Sequence, residues 1–151
     1  MEKTITLFLA DDDNDDAFLF AEILKEINPS IRLITAIDGE DALEKLTTKG
    51  ALLPDVIFLD LNMPRMDGKE CLAALKNDEK LRDIPVIMYT TSSQSRDIEE
   101  TLQRGAICFI TKPSSVKELR EILAAISNNV HKNLEGTLQR LSNTQSTFIV
   151  C

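Results

Sequence analysis

The sequence predicts an α/β protein in which helices cover both faces of a doubly wound, five-stranded parallel sheet. Short runs rich in β-branched and aromatic residues alternate five times with longer segments of helical spacing. Nearly every residue of these runs is apolar, as expected of parallel strands that are buried on both faces. The chain has 151 residues, of which 43% are hydrophobic and 28% charged, so its length and composition suit one domain of this class.

Each predicted strand is followed by a helix, and turn-forming residues separate the two. The strands are predicted at residues 5–10, 31–36, 56–59, 84–90 and 106–111. The helices are predicted at residues 14–26, 39–50, 68–76, 95–104 and 114–128. Asn28-Pro29 ends the first helix, and Gly50 and Gly105 end the second and fourth. Right-handed crossovers between these units predict the flavodoxin-like strand order 2-1-3-4-5.

Residues 1–128 are predicted to form this domain, and residues 129–151 a C-terminal extension. Four apolar residues continue the spacing of the fifth helix into the extension: Val130, Leu134, Leu138 and Leu141. We therefore expect the fifth helix to continue, although Gly136 lowers the helical propensity there. The apolar end at residues 148–151 has three alternatives: it packs on the domain, contacts a second subunit, or is disordered.

Composition argues against several classes of function. A net charge of −8 disfavours nucleic-acid binding, since phosphates are bound by basic surfaces. No apolar run approaches the ~20 residues of a membrane span, and the N-terminus does not resemble a secretory signal, so a cytoplasmic protein is expected. Three distant cysteines and one histidine argue against a disulfide framework and against a zinc site. Cys71 and Cys108 are interpreted as small buried residues, and His131 as an ordinary surface residue.

Polar residues stand where four of the predicted strands end. Asp11 and Asp12 follow the first strand, Asp60 follows the third, Thr90 ends the fourth, and Lys112 follows the fifth. In the predicted strand order these ends are contiguous and line one cleft. Repulsion among three carboxylates would raise at least one pKa, and a divalent cation relieves it. Magnesium is the expected ion because it prefers carboxylate, water and phosphate oxygens as ligands.

The same residue types are suited to phosphoryl transfer. Lys112 offers a positive charge to a phosphoryl oxygen, and the Thr90 hydroxyl offers a hydrogen bond. A carboxylate beside a cation, a lysine and a hydroxyl is the set needed to accept a phosphoryl group covalently. The alternative is structural: Asp11 and Asp12 would cap the first helix, Thr90 would cap the next segment, and Lys112 would be a surface residue. Three further carboxylates are assigned only to capping and helix-dipole roles: Asp13, Asp15 and Asp16.

Four motifs, in this order, resemble those of the receiver domain of two-component response regulators. They are Asp-Asp after the first strand, D-x-N-M-P-x-M-D-G after the third, a threonine after the fourth and Lys-Pro after the fifth. The resemblance covers residues 4–128, most of the chain. The acidic opening DDDNDD and the segment LKNDEKLRDIPV look most like single-domain receivers, including those paired with bacterial phytochrome kinases.

The resemblance implies a role for each matching position. Asp60 would be the phospho-acceptor, and Thr90 and Lys112 would hold the phosphoryl oxygens. Three groups would join Asp60 in binding Mg²⁺, or Mn²⁺ as a substitute: Asp12 directly, Asp11 mainly through water, and Asn62 through its backbone carbonyl. Phe109 stands where the family has an aromatic switch residue, and the Lys112-Pro113 peptide is expected to be cis.

The resemblance also implies partners and an output. A phosphohistidine of a sensor histidine kinase or of a histidine phosphotransfer protein would be the donor, and water would later remove the phosphoryl group. Movement of Thr90 and Phe109 would change a surface formed by the fourth helix, fifth strand and fifth helix. That surface would bind a downstream protein or, with the C-terminal extension, a second copy in a homodimer. No DNA-binding output module is expected.

Two other functions are compatible with parts of this pattern. A receiver-like binding module that is not phosphorylated would have the same fold, and the complete set of site residues argues against it. A phosphate-ester hydrolase of the haloacid dehalogenase type usually has a second aspartate two residues after its nucleophile, and here that position is Asn62. Turnover of a small phosphate ester would favour the hydrolase.

Overall fold

A parallel sheet lies at the centre of the computed structural model, which describes residues 4–145 and 147–151. Its parallel strands are β1 Thr6–Ala10, β2 Arg32–Ala36, β3 Val56–Leu59, β4 Val86–Thr90 and β5 Cys108–Thr111. Their order is β2-β1-β3-β4-β5, which confirms the predicted flavodoxin-like arrangement. Ala10 at the end of β1 is paired with Leu59 at the end of β3. The residues that follow these two strands are therefore neighbours.

Helices cover both faces of this sheet. They are α1 Asn14–Ile27, α2 Gly39–Thr47, α3 Gly68–Lys76, α4 Ser95–Gln103, α5 Val116–Asn129 and α6 Leu134–Thr144. On one face, α2, α3 and α4 bury residues such as Leu72 and Ile98. On the other face, α1, α5 and α6 bury residues such as Phe20, whose ring lies edge to face with that of Phe58 at 5.1 Å. None of the helices in the described part of the chain has the length and apolar character of a membrane span.

The N-terminus of α1 fixes the acidic segment that follows β1. Asp13 is the N-cap, and its side chain accepts hydrogen bonds from the N–H groups of Asp15 and Asp16, each at 3.0 Å. This confirms the capping role predicted for Asp13. The backbone of Asp16 is thereby held in the first turn of α1, close to the end of β1.

The C-terminal extension does not continue the fifth helix, so that prediction was wrong. α5 ends at Asn129, and α6 begins as a separate helix at Leu134. Asn133 caps α6 by accepting a hydrogen bond from the Gly136 N–H at 3.1 Å. A Cβ at position 136 would lie only 2.3 Å from the Asn133 side chain. Glycine at this position therefore allows a new helix to start where a longer one was expected.

The residues after α6 return to the sheet and pack on the domain. β6 Ile149–Val150 pairs antiparallel with β5, so the sheet has a sixth strand in addition to the five predicted ones. Ile149 is 7% exposed and lies in the same apolar cluster as Leu138 and Leu141 of α6. Burial of these side chains stabilises the return of the chain. Packing on the domain is thus the alternative that the structure selects for the chain end.

A disulfide joins Cys108 of β5 to Cys151, which corrects the expectation that the cysteines argue against such a bond. The two residues are 43 positions apart, and the antiparallel pairing of β5 with β6 brings them together. Cys108 is buried, as expected. Cys71 is a buried free thiol, and burial raises its pKa to about 12. Cysteine spacing carries no signal for the Cys108–Cys151 pair, because the pairing depends on β6.

Replacing Cys151 with serine is expected to lower the free energy of unfolding by about 3–4 kcal/mol under oxidising conditions. The bond closes a loop across 43 positions, and its loss raises the entropy of the unfolded chain. Urea unfolding of the wild type and the variant, with and without dithiothreitol, measures this difference. The reductant should lower the stability of the wild type to that of Cys151→Ser and leave the variant unchanged. Equal stability in all four samples would contradict the prediction.

Candidate functional site

Three carboxylates meet at the carboxyl ends of β1 and β3. The N–H of Asp60 donates a hydrogen bond to the carbonyl of Ala10, the last residue of β1, at 3.0 Å. One carboxylate oxygen from each of Asp11, Asp12 and Asp60 lies within 4.8 Å of the other two. Asp11 and Asp60 are buried, whereas Asp12 is exposed. The structure therefore brings together the carboxylates predicted at these strand ends and removes two of them from water.

Asp60 has one hydrogen-bonded carboxylate oxygen and one that forms only a long ion pair. Its Oδ1 accepts a hydrogen bond from the N–H of Leu61 at 2.8 Å. Its Oδ2 lies 3.5 Å from Nζ of Lys112, which is beyond the usual length of an ammonium–carboxylate hydrogen bond. The first contact fixes the orientation of the carboxylate. Because the contact with Lys112 is long, the lone pairs of Oδ2 remain available for nucleophilic attack.

The loop after Asp60 folds back tightly on the end of β3. The N–H of Gly68 donates to the carbonyl of Leu61 at 2.8 Å. A Cβ on Gly68 would lie 2.1 Å from the carbonyl oxygen of Asp60, so only glycine fits there without a shift of the backbone. Asn62 is exposed within this closed loop, two residues beyond Asp60.

Asp11 has the properties of a cation ligand. Its Oδ1 accepts a hydrogen bond from the N–H of Asp13 at 2.9 Å. Its Oδ2 is buried and forms an ion pair with Nζ of Lys112 at 2.7 Å. Burial raises the pKa of Asp11 to about 6, and Lys112 offsets this only in part. A hard divalent cation beside Asp11 would further stabilise the charged carboxylate.

Lys112 supplies the positive charge of the cleft. Only 9% of its side chain is exposed, and Nζ lies 2.7, 2.8 and 3.5 Å from carboxylate oxygens of Asp11, Asp16 and Asp60. Burial disfavours the ammonium, but the carboxylates of Asp11 and Asp16 outweigh it, so the pKa of Lys112 is raised. Lys112 is therefore charged at neutral pH.

The Lys112-Pro113 peptide is trans, so the expectation of a cis bond was wrong. Lys112 continues the line of β5, and its N–H donates to the carbonyl of Thr90 at 2.6 Å. This hydrogen bond sets the position of Lys112, and the long side chain reaches Asp11 and Asp16 from there. Trans is also the favoured isomer of a bond before proline, by about 0.5–1 kcal/mol.

Thr90 and Phe109 are fully buried on neighbouring strands. The hydroxyl oxygen of Thr90 accepts a long hydrogen bond of 3.5 Å from the N–H of Ser92. Phe109 packs in the apolar cluster that includes Ile98 of α4. Its backbone lies beside Val150 of β6, so the C-terminal extension covers the edge of the strand that carries Phe109.

Asp16 is a site residue that the sequence patterns assigned only to the end of a helix. Its Oδ2 accepts a hydrogen bond from Nζ of Lys112 at 2.8 Å, and the two residues are 96 positions apart. The spacing of residues along the sequence could not reveal this contact, because the contact depends on how α1 lies beside the end of β5. The cleft thus contains one more carboxylate than predicted.

Comparison with known proteins places these residues in a family. Residues 7–124 match the family model described as the response regulator receiver domain. The chain belongs to the response regulator receiver family. Among its relatives is the response regulator Rcp1 of Synechocystis sp., which is 32% identical over 126 residues. The match covers 81% of this chain and 86% of Rcp1.

Two similar solved structures agree with this receiver assignment. The Mn²⁺-bound form of Rcp1 has a TM-score of 0.75 and 31% identity, and the match covers 83% of this chain and 93% of that one. The phosphorylated cyanobacterial phytochrome response regulator RcpA has a TM-score of 0.80 and 32% identity, with 87% and 96% covered. The resemblance inferred from the motifs is thereby confirmed. Receiver domains take phosphoryl groups from histidine kinases, so this receiver is a signalling protein rather than a conventional enzyme.

Proposed function

We propose that Asp60 of this receiver accepts a phosphoryl group from a phosphohistidine of a sensor histidine kinase or a histidine phosphotransfer protein. The observation that carries the proposal is the position of Oδ2 of Asp60, which lies 3.5 Å from the Lys112 ammonium and beside the carboxylates of Asp11 and Asp12. A nucleophile, a positive charge and metal-binding oxygens are thus gathered in one cleft. The similar protein RcpA has been solved in a phosphorylated form, which supports this role.

The covalent step is a displacement at phosphorus. Oδ2 of Asp60 forms a bond to phosphorus while the bond to the histidine nitrogen breaks, and the electron pair stays on that nitrogen. The Leu61 N–H holds Oδ1, so Oδ2 remains presented to the donor. Lys112 and Thr90 donate hydrogen bonds to phosphoryl oxygens and stabilise their charge. Water later attacks the acyl phosphate, which returns Asp60 to its carboxylate form.

We propose Mg²⁺ as the cation that this reaction needs, with Mn²⁺ as a substitute. The ligands would be the carboxylates of Asp11, Asp12 and Asp60 and the backbone carbonyl of Asn62. The grouping of three carboxylates, with one oxygen of each within 4.8 Å of the others, supports this set, and the similar Rcp1 has been solved with Mn²⁺ bound. A bound cation would neutralise charge on the carboxylates and on the phosphoryl oxygens.

The proposed output is a change in the surface formed by α4, β5 and α5. Thr90 would move toward the phosphoryl group, and Phe109 would transmit the change, because a fully buried ring in the apolar cluster that includes Ile98 cannot shift without its neighbours. β6 covers the edge of β5, so the C-terminal extension would belong to this surface. A downstream protein or a second copy of the chain would bind there. We also propose that this receiver is cytoplasmic and that its phosphoryl donor is a kinase of the bacterial phytochrome type.

Intact-mass measurement after incubation with Mg²⁺ and acetyl phosphate tests the proposed function. The expected result is one added phosphoryl group that maps to Asp60 and is absent from a sample treated with EDTA. Binding of beryllofluoride, a stable phosphoryl mimic, separates rapid hydrolysis from a lack of reaction. Failure of both measurements in the wild type would contradict the proposal and favour a receiver-like module that is not phosphorylated.

A further inference from the structure

Lys112 is held more closely by Asp11 and Asp16 than by the proposed acceptor, Asp60. Nζ donates to Oδ2 of Asp16 at 2.8 Å, whereas it lies 3.5 Å from Oδ2 of Asp60. Because the lysine side chain is 9% exposed, water cannot readily replace a lost carboxylate partner. In this state the ammonium therefore lies closer to Asp11 and to Asp16 of α1 than to the acceptor.

Asp16 lies outside the group of carboxylates that could hold a cation, which consists of Asp11, Asp12 and Asp60. A cation held by that group would engage Asp11, the other close partner of Lys112. Asp16 would then remain as the carboxylate that retains the lysine. A phosphoryl group on Asp60 needs the same ammonium, so Asp16 and the phosphoryl oxygens compete for its N–H donors.

The fold offers a matched residue with which to separate this contact from the charge of Asp16. Asp15 lies in the same first turn of α1, and its N–H is bonded to the same Asp13 side chain. Its side chain, however, forms no ion pair within residues 4–145 and 147–151. Asp15 and Asp16 therefore carry the same charge at the same end of the helix, but only Asp16 contacts Lys112.

We propose that Asp16 is a positioning residue that holds Lys112 toward α1 before phosphorylation and releases it when the phosphoryl group is bound. This inference rests on the function proposed above and adds a residue that controls it. The hydrogen bond to Asp16 must be given up for Lys112 to turn to the phosphoryl oxygen. Asp16 therefore weakens the binding of a phosphoryl group at Asp60, and its release frees a carboxylate on the first turn of α1.

Beryllofluoride binding in the presence of Mg²⁺ tests this role. Asp16→Asn keeps the size of the side chain and removes its charge, and we expect it to tighten binding about three- to fivefold, the upper part of the range for a partly exposed ion pair. Asp15→Asn removes the same charge from the same turn and should change the affinity by about twofold or less. Asp16→Glu, whose carboxylate still reaches Lys112, should bind as the wild type does.

A second arm tests whether Lys112 mediates the effect. In a Lys112→Gln background, measured at higher beryllofluoride concentration, Asp16→Asn should leave the affinity unchanged, since the competition needs the ammonium. Tyr89 provides a spectroscopic signal, because it is the one tyrosine of a chain without tryptophan and its ring centroid lies 5.6 Å from Nζ of Lys112. Its fluorescence should change when the wild type binds beryllofluoride and should already be altered in free Asp16→Asn.

The outcomes separate this inference from the proposed function. A wild type that binds no beryllofluoride contradicts the proposed function and, with it, the role of Asp16. A wild type that binds, together with equal effects of Asp16→Asn and Asp15→Asn, overturns the positioning role alone. Weaker binding by a folded Asp16→Asn would also overturn it, because Asp16 would then assist the lysine. Thermal unfolding of each variant establishes that the fold is retained.

Discussion

Asp60→Asn is expected to abolish covalent uptake of a phosphoryl group, with a rate at least about a thousandfold below that of the wild type. The lone pairs of an amide are poor nucleophiles, and the substitution also removes one of the three carboxylates that could bind a cation. The fold should be kept, because the amide oxygen can still accept the hydrogen bond from the Leu61 N–H. Intact mass after incubation with Mg²⁺ and acetyl phosphate measures the loss.

Asp83→Asn is the matched control for this prediction. Asp83 is exposed in the segment before β4, and removing its charge should leave phosphorylation unchanged. Retention of a full phosphoryl adduct by Asp60→Asn would place the acceptor at another residue. Peptide mapping of that adduct would identify the residue.

Gly68→Ala is expected to lower the free energy of unfolding by about 2–3 kcal/mol and to slow phosphorylation by about a hundredfold. The added Cβ would lie 2.1 Å from the Asp60 carbonyl oxygen and 2.8 Å from Cα of Leu61. Both atoms belong to the backbone, so the loop itself must move, and Asp60 moves with it. Urea unfolding and the rate of acetyl phosphate incorporation measure the two effects.

Gly50→Ala separates this clash from the general cost of replacing a glycine. Gly50 has φ +79°, but a Cβ there would meet no atom within 4 Å. Left-handed backbone strain should cost about 1–2 kcal/mol, and phosphorylation should be unaffected. If Gly68→Ala were no more damaging than Gly50→Ala in both measurements, the tight loop after β3 would not be what holds Asp60 in position.

The cleft could be predicted from sequence because a parallel sheet gathers its strand ends at one edge. Apolar runs that end in Asp11, Asp60, Thr90 or Lys112 need only the strand order to become neighbours, and crossover handedness limits that order. The motif resemblance was needed for Phe109, since a strand aromatic is ordinarily a core residue and Phe109 is indeed fully buried.

The C-terminal extension was harder to predict because its pattern is compatible with two structures. The apolar spacing from Val130 to Leu141 suits one long helix as well as a break followed by a second helix. The cap that Asn133 forms with Gly136 selects the break. Two strand residues, Ile149 and Val150, are also too few to give a recognisable β pattern.

Sequence patterns alone were sufficient for the sheet order, the family and the strand-end residues of the cleft, because each depends on signals that span a few neighbouring positions. The folded chain was required for the Asp16–Lys112 and Cys108–Cys151 contacts, which join residues 96 and 43 positions apart. It was also required for the trans isomer of the Lys112-Pro113 peptide, where the motif resemblance implied cis. These features depend on how helices and strands pack on one another, and the residue pattern within a single segment does not indicate that packing.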